Sequence, residues 1–91
     1  MKLSDAEVEK RLGTLENWKF SNGKLHKEFK FETFEEAVRF IDEVAVIAAS
    51  LDHHPEIYNV YNRVTLDINT HDEGGITDKD FLFARHVDDI G

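Results

Sequence analysis

Nineteen consecutive residues, TFEEAVRFIDEVAVIAASL at positions 33–51, constrain the architecture of this chain more than any other segment. Thr33 followed by Glu36 is a helix-opening pair, a hydroxyl and a carboxylate spaced to satisfy each other's orphan backbone donors. Apolar residues then recur at Phe34, Ala37, Val38, Ile41, Val44, Ala45, Ala48 and Leu51, the spacing of one buried helical stripe. A long helix with such a stripe must lie on a second layer to be stable in water. Phe40, Val46 and Ile47 flank the stripe and widen it beyond what one sheet face covers. A second apolar contact, between subunits, is the expectation.

The flanking segments supply that second layer. Asn22-Gly23 separates two strand-like runs in NWKFSNGKLHKEFKF, the strongest short hairpin signal. Leu25, Lys27, Phe29 and Phe31 fall on one face of the second run. Two further strands are predicted at about 56–61 and 64–70, with Val64, Leu66 and Ile68 alternating against Thr65, Asp67 and Asn69. Ser4 with Glu7 opens a short first helix that Gly13 ends, and Thr77 with Asp80 opens a last one carrying Phe81, Ala84 and Val87. The predicted order is α-β-β-α-β-β-α. That is an α+β fold with a four-stranded antiparallel sheet covered by helices on one face, a single domain over residues 1–91.

Composition narrows the function. The chain has no cysteine, which excludes disulfides, thiolate nucleophiles and zinc–sulfur sites. A formal charge of −8 argues against nucleic acid and anionic membranes as partners. No apolar run approaches the length of a membrane span, and MKLSDAEVEKRL lacks the apolar block of a secretory signal, so a cytoplasmic protein is expected.

Three of the five histidines cluster in one segment: His53 and His54 precede the only proline, Pro55, and His71 follows the second hairpin. Pro55 disfavours helical backbone at His54, so the long helix should end near His53 and the adjacent imidazoles should splay. A hairpin turning at Asn62-Arg63 would set position 54 opposite 71 and bring His71 back to the helix end. A helix C-terminus favours a cation, which suits a histidine that must carry a proton. His26 and His86 read as ordinary surface or satisfied core residues. For the clustered three, spacing alone leaves an acid–base site, a metal site and coincidence all open.

DHHPEIYNVYN followed by VTLDINTHDEGGITDKDF resembles the pterin-4a-carbinolamine dehydratase family. The family pattern is His-His-Pro, an aromatic six residues after the proline, a histidine ten later and an aspartate nine beyond that. His53, His54, Pro55, Tyr61, His71 and Asp80 meet it, and the similarity extends through NWKF, FKFETFEEAVRFIDEVA and GGITDKDFLFA. The resemblance implies a lyase that dehydrates 4a-hydroxytetrahydropterin to quinonoid dihydropterin in tetrahydrobiopterin recycling. It implies no metal or organic cofactor, and a homodimer or homotetramer. It assigns His53 and His71 as acid and base, His54 to binding the pterin, and Pro55 and Tyr61 to shaping its pocket. Asp80 is marked by the family pattern and is also the third residue of a capping box, with capping the first reading. One position departs: Ala49 stands four before His53, where the family carries a polar residue, so on a continuous helix His53 would lack a neighbour to orient it. That loss keeps two alternatives open: a non-catalytic pterin-binding or assembly member of the same fold, and a histidine-rich metal-binding module.

Overall fold

The computed structural model describes residues 1–90; Gly91, the last residue of the expected domain, lies outside the described residues. In chain order the elements are α1 (Asp5–Leu12), β1 (Lys19–Ser21), β2 (Lys24–Lys30), α2 (Phe34–Leu51), β3 (Glu56–Val60), β4 (Arg63–Ile68), a 3-10 turn (His71–Glu73) and α3 (Asp78–Asp88). The strands form one antiparallel sheet in the order β1-β2-β4-β3, which leaves β1 and β3 as edges. The expected α+β architecture is the one observed.

The helix starts obey the cap chemistry. Ser4 accepts from the Glu7 N–H, and Thr33 from the Glu36 N–H. The reciprocal halves differ: the Glu7 carboxylate turns to Arg11, while Glu36 accepts from the Glu32 N–H. Only Thr77 and Asp80 close a complete box.

Alternation decides which sheet face is buried. Leu25, Phe29, Val64, Leu66 and Ile68 point toward the helices and join one core with Val8, Val44, Phe81, Phe83 and Val87. His26, Thr65 and Asp67 lie on the other face, which no helix covers. Lys27 shares the core-side face of β2; its ammonium pairs with Asp88 at 2.9 Å and lies over the Phe29 ring, so its charge is partnered where its methylenes enter the apolar face.

Two expectations are corrected here. The α2 stripe is centred on Ala37, Phe40, Val44 and Ala48, while Phe34 and Ala45 are exposed. Phe40 is 6% exposed and stacks on Phe29 and Phe31 at centroid distances of 4.6 and 5.1 Å, so it belongs to the core of one chain and not to a free face. Phe29 of β2 and Phe31 just after it reach far enough along the helix to cover it, and such burial is worth about 1.5–3 kcal/mol. Val46 alone of the flanking set is well exposed. The second correction is the hairpin. Val60 pairs with Arg63 and Glu56 with Asp67, so the turn is Tyr61-Asn62 and not Asn62-Arg63. Tyr61 takes a left-handed φ of 50° to close it, and Asn59 holds the tip by donating to the carbonyls of Tyr61 and Arg63. Extended by the observed register, position 54 aligns with 69, short of His71.

Candidate active site

His53 is delivered by the way α2 ends. Asp52 adopts the left-handed conformation (φ 50°, ψ 46°). Its N–H donates to Ala49 O, and the His53 N–H reaches back to Ala48 O at 3.0 Å. This pair of bonds is a Schellman motif, whose left-handed residue is usually glycine and sometimes a short polar residue such as the Asp here. The reversal turns His53 off the helix and into the protein, where its ring is buried. Ala49 therefore does not sit one turn behind His53, because the helical relation between positions four apart ends at Leu51.

The partner that Ala49 cannot be is Asp80. His53 Nε2 lies 2.6 Å from Asp80 Oδ1, and the Asp80 side chain is 0% exposed. Its second oxygen, Oδ2, accepts from the Thr77 N–H at 2.8 Å, closing the α3 capping box, and from the Thr70 hydroxyl at 2.8 Å. Thr70 Oγ1 in turn contacts Thr77 Oγ1 at 2.7 Å. Among the described residues the buried polar or charged side chains are His53, Thr70, Thr77 and Asp80, and all four belong to this single network. No buried side-chain nitrogen or oxygen in the described residues is left without a partner. A satisfied buried network of this kind is rigid, because loosening any member strands the others in low dielectric.

The remaining expected site residues are distributed as follows. His71 is exposed and opens the 3-10 turn, directly after Thr70. The hydrogen-bonded path His53–Asp80–Thr70 thus ends at the residue before His71, and it joins the two segments beyond the last β3–β4 pair, Glu56 with Asp67. Gly74, with φ 73°, closes the turn in a conformation suited to glycine. His54 is exposed and Pro55 half-buried, both between Asp52 and the start of β3. Tyr61 is not brought to them: it is exposed at the tip of the β3–β4 hairpin, six residues of extended chain from Pro55, roughly 20 Å away. His86 is exposed, and His26 pairs with Asp67 on the outer sheet face. Among the described residues no three His, Asp or Glu side chains are grouped to hold a metal ion.

Thr70 is the residue that reading the sequence for chemistry overlooks. A signal for it exists. Val64, Leu66 and Ile68 alternate into the core, and position 70 continues that alternation with a hydroxyl. A polar group at a position that the pattern buries requires a buried partner. A cleft of about 660 Å³ lies elsewhere, between β2, α2 and the end of α3, with Phe29, Phe31 and Phe40 on its walls; no histidine lines it.

The sequence profile described as Pterin 4 alpha carbinolamine dehydratase matches residues 1–90. The chain belongs to this family. A relative in Sulfolobus acidocaldarius, provisionally named pterin-4-alpha-carbinolamine dehydratase, is 47% identical over 90 residues, covering 99% of each chain. The crystal structure of a transcriptional coactivator/pterin dehydratase from Brucella melitensis superposes with a TM-score of 0.90 at 37% identity, covering 96% of this chain and 95% of that one. A pterin dehydratase-like RuBisCO assembly factor of the alpha-carboxysome is similar in fold, with a TM-score of 0.63 over 78% of this chain and 82% of that one. Its identity is 22%, so that likeness concerns the fold alone.

Proposed function

We propose that this protein dehydrates 4a-hydroxytetrahydropterin to quinonoid dihydropterin, the step that returns an oxidised pterin to tetrahydrobiopterin recycling. In the reaction the N5–H bond breaks and its electron pair forms the N5=C4a double bond. The C4a–O bond breaks in turn, and the hydroxyl leaves with a proton as water. One proton must be taken and one given, and imidazole, with an ordinary pKa of about 6.5, can do either near neutrality. His53 and His71 are assigned those two transfers, His54 and Pro55 the binding of the pterin ring, and Asp80 the holding of His53. Nothing in the scheme requires a metal or an organic cofactor.

One observation carries the reading. The buried polar side chains of the described residues are gathered around His53, the first histidine of the family pattern. An ionisable pair held this way in a small domain is a feature of working sites as well as of structural ones, and here it coincides with the family's own residues.

The assembly reading is a homodimer or homotetramer, supported by apolar side chains left uncovered on one chain. Ile57, Tyr58 and Val60 are exposed on the edge strand β3, and Val46 on α2. Tyr61, distant from Pro55 within a chain, would meet a bound pterin only across such an interface. Light scattering at micromolar concentration should give a dimer or tetramer, and a monomer there removes the role of Tyr61.

The decisive test is the loss of synthetic 4a-hydroxytetrahydropterin followed beside its spontaneous dehydration. The protein should accelerate the reaction, chelator treatment should leave the rate unchanged, and His53→Ala should lower the accelerated rate by on the order of 10²-fold. A wild-type rate equal to the spontaneous one sinks the proposal.

A further inference from the structure

We infer that Thr70 is a positioning residue: acting through Asp80, it holds His53 with its proton on Nε2 and leaves Nδ1 as the nitrogen that exchanges a proton with the substrate. The inference follows from counting protons in the buried network. Asp80 Oδ2 accepts two donors, the Thr77 N–H and the Thr70 hydroxyl. A hydroxyl has a single proton, so with the Thr70 proton committed to Asp80, the 2.7 Å contact between the two threonines has Thr77 donating to Thr70. Thr77 Oγ1 still accepts from the Lys79 N–H at 3.2 Å, so each donor and acceptor has a defined direction. Every arrow in this chain ends on the Asp80 carboxylate.

Two donors on Oδ2 favour the ionised carboxylate, and an ionised carboxylate has no proton to offer an imidazole. The 2.6 Å contact to Oδ1 therefore has His53 Nε2 as the donor, and a neutral imidazole with its proton on Nε2 carries a lone pair on Nδ1. Nδ1 has no hydrogen-bond partner among the described residues, and no buried side-chain nitrogen there is unpartnered, so Nδ1 reaches solvent. It is thus the ring nitrogen left unpartnered, as a proton-transfer atom must be. Thr70 contributes by fixing Oδ2. Without its hydroxyl, Asp80 retains one donor on that oxygen and can rotate, and the direction of the Oδ1 bond is no longer imposed. Thr70 also immediately precedes His71, so the same residue anchors the turn that carries the second histidine.

The kinetic arm rests on the dehydratase reading, whereas a spectroscopic arm does not. Imidazole nitrogen chemical shifts, recorded by NMR at alkaline pH where the rings are neutral, should show His53 of the wild-type chain as the Nε2–H form. Thr70→Val should average the two tautomers and lower kcat roughly tenfold, the size of one hydrogen bond to a charged group, with KM within about twofold. Thr70→Ser, which restores the hydroxyl, should recover both the tautomer and the rate. An Nδ1–H form in the wild-type chain overturns the inference, as does a Thr70→Val chain that keeps the wild-type tautomer. Should Thr70→Val fail to fold, the wild-type spectrum and Thr70→Ser still decide, because a serine chain with averaged tautomers also overturns it. If the wild-type chain shows no catalysis, the dehydratase reading fails on its own and the spectra continue to decide the role of Thr70.

Discussion

Among the described residues two carboxylate–histidine pairs have almost the same length. His53–Asp80 spans 2.6 Å and His26–Asp67 spans 2.7 Å. Their surroundings differ. The first pair has side chains 10% and 0% exposed, behind Thr70 and Thr77; the second is 30% and 26% exposed and joins neighbouring strands on the uncovered sheet face. Contact distance therefore says little about what such a pair does. Burial strengthens each electrostatic interaction and raises the cost of leaving a member unpaired. On an open sheet face water replaces a lost partner, and the pair contributes little.

The largest expected effect tests that contrast directly. Asp80→Ala removes the reciprocal half of the α3 capping box, leaves His53 Nε2 and the Thr77 N–H without a partner and leaves the Thr70 hydroxyl with Thr77 alone, so it should cost about 3–5 kcal/mol. Asp67→Ala should cost no more than about 1 kcal/mol. Urea denaturation of both variants makes the comparison, and equal losses would break it.

Catalysis sharpens the same contrast. His53→Ala and His71→Ala should each lower kcat by on the order of 10²-fold, the usual contribution of one acid–base group. His26→Ala should leave the steady-state constants unchanged despite its carboxylate partner. A loss of rate at His26 would mean that the outer pair, and not the buried one, serves the reaction. His54→Ala should chiefly raise KM, by roughly tenfold for one lost hydrogen bond to the pterin. A pure kcat effect there would move His54 among the reacting groups.

The smallest expected effect concerns Ala49. From the sequence, a glutamate at this position should restore a missing partner to His53. In the structure that place is taken by Asp80, and the left-handed Asp52 has already turned His53 away from the helix. Ala49→Glu should therefore change kcat/KM by no more than about twofold, the range of a surface substitution. A tenfold gain would show that Asp80 leaves His53 incompletely held.

What could be read from the sequence was local. The capping residues Ser4, Thr33 and Thr77, the Asn22-Gly23 turn and the alternation of Val64, Leu66 and Ile68 each report on a few neighbouring residues, and each stands in the structure as expected. The site residues other than Thr70 were likewise visible as a pattern of residue types. Their arrangement was not. The hairpin register was missed because Tyr61 accepts a left-handed backbone that composition disfavours, moving the turn by one residue. The buried stripe of α2 was misjudged at Phe40 because helical periodicity does not say how far Phe29 and Phe31 reach from the neighbouring strand.

The histidine site shows the same division most sharply. The sequence by itself determined that His53 leaves a helix end, that Asp80 caps a helix, and that a hydroxyl follows three core residues in the strand alternation. Only the tertiary structure decided that these are one object. His53 and Asp80 are 27 residues apart, and Thr70 and Asp80 are 10 apart. No local preference selects partners over such separations. They meet because the sheet and the two helices bury their apolar faces together, and the polar groups carried into that interior must satisfy one another there.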